Sequence, residues 1–228
     1  MSTPHDSLSH FTPQEVQHYD SRIPALVPGY HVLHHSSAAL LKTMLPAGGR
    51  VLVVGAGTGA ELLALQANNL HWPCTAVEPM PEMLALGRAK CAAAGMQNVT
   101  WHRAFLHELP PGAPHDAALC QLVLHFIATP QDKQRLLSDI ASRLKPGASL
   151  LLCDLLVTDP QERSALIECA VSLGMPGQRR EIMRQRLQDD FFPLSEPQLA
   201  QLAADSGFQA PQLFFRTLCF GGWLLRRC

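Results

Sequence analysis

From about residue 50 onward, the apolar positions of this chain fall into short continuous runs separated by helical stripes. RVLVVGAG (50–57) is apolar and β-branched and stops on glycines, which predicts a buried strand followed by a Gly-rich turn. A helix is then expected from about Gly59 to Asn68, a second strand at CTAVE (74–78), a helix over 80–95 ending at Gly95, and a third strand over 98–104. HDAALCQLVL (115–124) predicts the fourth strand. Thr129-Pro130-Gln131-Asp132 caps a helix carrying Leu136, Leu137, Ile140 and Leu144 on one face. After a turn at Lys145-Pro146-Gly147, ASLLLCDLLV (148–157) predicts a fifth strand, apolar on both faces. Strands of this kind alternating with helices specify a parallel sheet covered on both sides.

The rhythm changes on either side of that block. Ahead of it, Thr12-Pro13-Gln14-Glu15 combines an N-cap, a helix-compatible proline and a capping-box acid, so a short helix is expected to start there. Pro24 and Pro28-Gly29 interrupt the pattern, and a second helix is expected over 30–45. After the fifth strand, residues 160–190 have a helical, amphipathic pattern with no strand. Ser195-Glu196-Pro197-Gln198 caps a helix ending at Gly207, and strand-like runs at about 209–216 and 218–226 follow. The expected organisation is an N-terminal helical cap over 1–48 and one domain over 49–228, with a helical insertion at about 160–192.

Composition narrows the class. Hydrophobic residues are 47% and charged residues 16% of the 228, enough for a sizeable core, and the net charge of -1 gives no field that draws nucleic acid or an anionic membrane. No apolar run reaches the roughly 18–20 residues that span a bilayer, and the first residues lack a basic then apolar leader. The seven cysteines form no C-x-x-C pair and sit mostly inside apolar runs, where reduced thiols behave as small hydrophobes. A cytoplasmic protein without nucleic-acid or membrane partners is expected. QRREIMRQR (178–186) concentrates basic residues, and on a helix this reads as a solvated face or a homodimer contact.

Within VGAGTGA (54–60), Gly55, Gly57 and Gly59 stand where a strand turns into a helix, and glycines there let a ligand approach the backbone. Glu78 ends the next strand roughly twenty residues on, where a carboxylate can accept from ribose hydroxyls. A ribose-bearing cofactor across the strand tips follows; the alternative is a turn that only packs, with Glu78 solvated. The glycines do not choose the cofactor, because Gly55-x-Gly57-x-x-Ala60 also fits the dinucleotide pattern. Against NAD, the only tyrosines, Tyr19 and Tyr30, have Ile23 and His34 where a Tyr-x-x-x-Lys pair needs lysine. Little length is left for a separate substrate domain either.

From about Arg50 to Arg227 the sequence resembles class I S-adenosylmethionine (SAM)-dependent methyltransferases. VLVVGAGTG resembles their first motif and AVEPMPEML their second, with Glu78 as the ribose-binding acid. HRAFLHELP is similar to the segment flanking adenine, here through Ala104 and Phe105, and HDAALCQLVLHF to the fourth-strand motif, with Gln121 facing the cofactor. LKPGASLLL and a closing GF…FFRTLCFGGWLLRR complete the pattern. The resemblance implies a Rossmann-like, doubly wound, mostly parallel seven-stranded sheet with an antiparallel C-terminal strand and helical additions. It implies SAM held by Tyr30, Gly55, Ala56, Gly57, Gly59, Glu78, Pro79, Met80, Ala104, Phe105 and Gln121, and methyl transfer to a small-molecule acceptor. LVPGYHVLH (26–34) and LCFGGW are similar to the carboxy-SAM synthase branch and its methyltransferase relatives. That likeness implies that Tyr30 reaches the cofactor and that Arg184 faces a carboxylate on the acceptor or the cofactor. The chain departs from the branch at Glu78 for Asp, Gln121 for Asn and Ala104 for Asp, which leaves adenine to backbone groups and the Phe105 ring. Two other readings stay open: a synthase-like modification of the cofactor, and a SAM-binding protein without turnover.

Methyl transfer from a sulfonium depends mainly on in-line positioning, and a general base matters only where the acceptor starts protonated. His31, His34, His35, His107 and His125 are candidates. His125, just past the fourth strand tip, is the foremost, against the plainer reading of a histidine satisfied by backbone. His31-x-x-His34-His35 has helical spacing, but no nearby carboxylate or thiolate completes a metal site, so no metal is expected. Phe191-Phe192 and Phe214-Phe215 are expected in the core.

Overall fold

The structure, a computed structural model, describes residues 13–228; the expected cap at Thr12 lies outside them. Seven strands form one sheet: β1 (Val51–Val54), β2 (Cys74–Val77), β3 (Val99–His102), β4 (His115–Gln121), β5 (Leu144–Leu155), β6 (Gln212–Thr217) and β7 (Phe220–Arg226). Their order is β3-β2-β1-β4-β5-β7-β6. The first five run parallel, and β7 enters antiparallel between β5 and β6.

Period-two alternation on a doubly covered sheet explains the packing. In β1, Leu52 and Val54 face a core with Leu137, Ile140, Leu150 and Trp223. Val51 and Val53 face the opposite core, with Leu62, Leu65, Leu119 and Leu151. Helix α3 (Tyr30–Met44) and the crossover helices α4 (Ala60–Ala67) and α5 (Pro81–Ala93) cover the second face. α6 (Pro130–Ser142) and α9 (Glu196–Asp205) cover the first. The chain winds outward in both directions from the β1–β4 boundary, so a crevice opens at the carboxyl ends of those strands.

Three local features differ from expectation. Pro24 lies inside α2 (Tyr19–Leu26) instead of interrupting a helix; its missing amide falls late in an eight-residue segment, and the Val27 amide still reaches the Ile23 carbonyl at 2.9 Å. The expected Lys145–Gly147 turn is an irregularity within β5, opposite a register shift between His115 and Ala117. Phe192 is 41% exposed and not in the core, whereas Phe214 and Phe215 pack against it. The 160–190 block resolves into α7 (Pro160–Ser172), a 3-10 turn over Gly177–Arg179 and α8 (Arg180–Asp189), and α1 (Pro13–Gln17) precedes α2.

Candidate functional site

The crevice holds a cavity of about 400 Å³. Its floor is the turn after β1, where Gly55 (φ +68°) and Gly57 (φ +49°) take the left-handed conformation that glycine adopts without strain. A Cβ on Gly55 would fall 2.5 Å from Val123 Cγ2, whereas one on Gly57 would meet nothing nearer than 3.9 Å and would project into open space. Glu78, at the tip of β2, is buried and accepts from the Gly57 amide at 2.9 Å and the Met80 amide at 2.8 Å. Burial raises its pKa, opposed by those two amides. One lone pair on each oxygen is thereby used, and the rest can meet ligand hydroxyls.

Gly55, Ala56, Gly57, Glu78, Pro79, Met80, Ala104, Phe105, Gln121 and Tyr30 all line this cavity. Gln121 Nε2 donates to Ser37 Oγ at 2.7 Å, and its Oε1 is buried without a partner. His34, T-shaped against Tyr30 at 4.4 Å, stands beside Gln121 on this wall, and burial pushes its pKa down to about 4, with the Gln121 contact working against the shift. Buried polar groups without full hydrogen bonding are costly, and Gln121 and His34 both present such groups to this cavity. Two residues without a sequence signature complete the wall, Tyr19 and Glu61. Burial, with the Glu78 charge adding to it, raises the Glu61 pKa to about 8 against its own backbone amide and Lys90.

A second cavity of about 380 Å³ adjoins the first, and Tyr19, Leu122 and Phe126 line both. Leu122 itself has φ +60°, a conformation disfavoured for a side-chain-bearing residue, which lets the chain turn sharply past β4 between the two cavities. Asp154 of β5 fixes this turn: it accepts from the amides of Val123, Leu124 and His125 at 3.1, 2.6 and 3.0 Å, and from its neighbour Leu155 at 2.8 Å. Its Oδ1 also lies 2.7 Å from His125 Nδ1. Burial works to raise the Asp154 pKa, but His125, Lys133 and the Leu155 amide together hold it below the usual carboxylate range. The buried Lys133 ammonium donates to the carbonyls of Leu124 and, at 2.7 Å, of Phe192, tying the turn to the segment after α8.

Two expected residues fall elsewhere. Gly59 (φ +82°) does not line the cavity; a Cβ there would lie 3.2 Å from Cys91 Sγ, so the glycine serves the close packing of α4 on α5. Arg184 lines neither cavity: it is exposed and paired with Glu181, while Arg179 and Arg186 face the second cavity from the same segment. His125 borders the second cavity and not the first. Of the other histidines, His107 lines the first cavity, while His31 and His35 are exposed on α3 with His34 turned inward. Among the described residues no group of three His, Cys, Asp or Glu could hold a metal. Asp154 had a signal in the sequence, a lone acid inside a doubly buried strand.

Residues 51–147 match the sequence model of the methyltransferase domain family. Over that stretch the chain is similar to class I SAM-dependent methyltransferases. SAM is the cofactor of this class. A demethylmenaquinone methyltransferase of Tropheryma whipplei (strain Twist) is 34% identical over 53% of the chain and 48% of its own length. The chain thus spans about half of that relative. A carboxy-S-adenosyl-L-methionine synthase of Campylobacter concisus is 26% identical over 87% of the chain and 86% of its own length. Among solved structures, a SAM-dependent methyltransferase from Aquifex aeolicus matches with a TM-score of 0.64 and 18% identity, covering 96% of the chain and all 100% of that chain. Mitomycin 7-O-methyltransferase matches at 0.63 and 19%, covering 87% and 54%. The Rossmann-like architecture is common to them. No helix among the described residues is long and apolar enough to cross a membrane.

Proposed function

We propose that the chain transfers a methyl group from SAM to a small-molecule acceptor, with the cofactor in the first cavity and the acceptor entering through the second. The observation that carries this reading is the Gly-rich turn and Glu78 facing one cavity that directly adjoins another. Glu78 accepts from the ribose hydroxyls, Phe105 flanks adenine, and the open backbone at Gly57 admits the cofactor's bulk. Tyr30, Gln121 Oε1 and His34 meet the polar groups at its methionine end. When bound, SAM supplies an electrophilic methyl on a sulfonium, whose C–S electron pair returns to sulfur as the acceptor's lone pair forms the new bond. Asp154 orients His125 through Nδ1, which leaves Nε2 to take a proton from an acceptor hydroxyl; the tautomer follows from the carboxylate contact.

Calorimetry checks the reading. S-adenosylhomocysteine should bind, Glu78→Ala should weaken it by on the order of 1–3 kcal/mol, and millimolar NAD should not compete. With a hydroxyl acceptor, His125→Gln should lower turnover by roughly 10²–10⁴-fold while leaving S-adenosylhomocysteine affinity in place. Unchanged affinity in Glu78→Ala removes that residue from the site.

A further inference from the structure

The second cavity carries a charge that its apolar walls do not explain. Arg22 of α2, Arg179 of the 3-10 turn and Arg186 of α8 converge on it, all three half-buried. Arg186 lies 3.2 Å from Asp190 and 3.9 Å from Glu15, with its guanidinium 5.8 Å from the Phe191 ring centroid. Arg22 and Arg179 make no side-chain hydrogen bond or ion pair among the described residues. Burial and then the Arg179 charge push the Arg22 pKa down, Glu15 works against them, and Arg186 adds to the shift. Three cations held within mutual range, with fewer facing acids, leave a positive hole in a partly dry pocket, and a ligand anion is the group that fills it.

The opposite end of the same wall carries His125. His125 meets Phe191 edge-on at 5.0 Å, so histidine, phenyl ring and Arg186 follow one another along the cavity. His125 and Phe126 stand where this cavity adjoins the first. The remaining lining is largely apolar, with Leu166, Met175, Met183 and Phe220 among it.

We propose that this cavity selects an amphiphilic anion as acceptor: an acid group held by Arg22, Arg179 and Arg186, an apolar body along the Phe191 wall, and a hydroxyl at the His125 end. The assignment rests on the methyltransferase reading for what happens to the hydroxyl, but not for the anion preference itself. The test titrates the full chain, with and without S-adenosylhomocysteine, with a fluorescent hydroxynaphthoate bearing its hydroxyl and carboxylate on opposite rings, and with the matching neutral amide. The acid should bind roughly ten-fold more tightly than the amide, the factor that a single well-placed charge contact gives. Arg179→Gln/Arg186→Gln should erase that preference while S-adenosylhomocysteine affinity stays within about two-fold. Arg22→Gln alone should reduce it, which keeps the test readable if the double variant does not fold. Arg184→Gln should leave it as it is. Equal binding of acid and amide to the unaltered chain, or a preference that survives in Arg22→Gln and the double variant, or is lost in Arg184→Gln, overturns the proposal. Failure of S-adenosylhomocysteine to bind, with the anion preference intact, instead overturns the cofactor reading.

Discussion

Glu61 is a buried acid whose placement has a measurable effect. Its carboxyl is buried beside the Glu78 carboxylate, and its pKa rises from the ordinary 4.5 to about 8, first through burial. Between about pH 4.5 and about 8 the folded chain therefore holds a proton there that the unfolded chain has released. Stability from this group is present below that window and falls as pH rises through it. Glu61→Gln keeps the shape without the charge, so the loss of thermal stability between pH 5 and pH 8 should shrink, by on the order of a few kcal/mol. An unaltered pH dependence in that variant means the carboxyl is not held neutral. The position was readable in the sequence only as an acid in the first turn of a helix, where it suits the helix dipole; that it turns into a cavity depended on the sheet beneath it.

At the scale of elements, the turn after β1 and helix α5 share glycines with opposite duties. Gly57 opens onto the cavity, whereas a Cβ on Gly87 would lie 2.8 Å from the Trp101 ring and 2.9 Å from the Gly57 carbonyl oxygen. Gly57→Ala should lower S-adenosylhomocysteine affinity by roughly ten-fold at a stability cost of about 1 kcal/mol for the positive φ. Gly87→Ala should instead lower the melting temperature, reflecting about 1–3 kcal/mol of overpacking. Paired melting curves and titrations separate them; if Gly57→Ala melts lower than Gly87→Ala, the two assignments exchange. Motif spacing made the Gly-rich turn and the Glu78 tip legible, because β1 and β2 are buried neighbours and their ends must coincide. Gly59 looked identical to Gly57 in sequence, and only the approach of α5 gave it a packing role.

For the whole molecule, Asp20 of α2 fastens the segment before the sheet to the glycine turn and to α5. Thr58 Oγ1 donates to Asp20 at 2.5 Å, and the Lys90 ammonium reaches the same carboxylate at 2.5 Å, joining α2 to the glycine turn and to α5. Since α2 carries residues of both cavities, this contact holds their shared wall in place. A half-exposed ion pair is worth about 0–1 kcal/mol, so Asp20→Asn should leave the global melting temperature within about 4 °C. Amide hydrogen exchange over residues 19–26 should quicken, and S-adenosylhomocysteine should bind more weakly. Exchange rates unchanged in that segment would show that apolar packing alone holds the helix.

What the sequence determined by itself was everything encoded by local periodicity: the strands, the crossover helices, the glycine turn, the acid at the tip of β2 and the helical block after β5. Those features follow from short-range sterics and from which face of each element must be buried. The tertiary structure decided what distant segments present to one another. Arg179, Arg184 and Arg186 are equivalent in composition, yet Met183 and Leu187 turn one face of α8 inward, taking Arg179 and Arg186 to the second cavity and leaving Arg184 outside. His125 gained its carboxylate partner only because β5 lies beside β4 and sets Asp154 against the following turn. A side chain's direction on its own element is a local property, whereas the neighbour it meets is set by how elements pack.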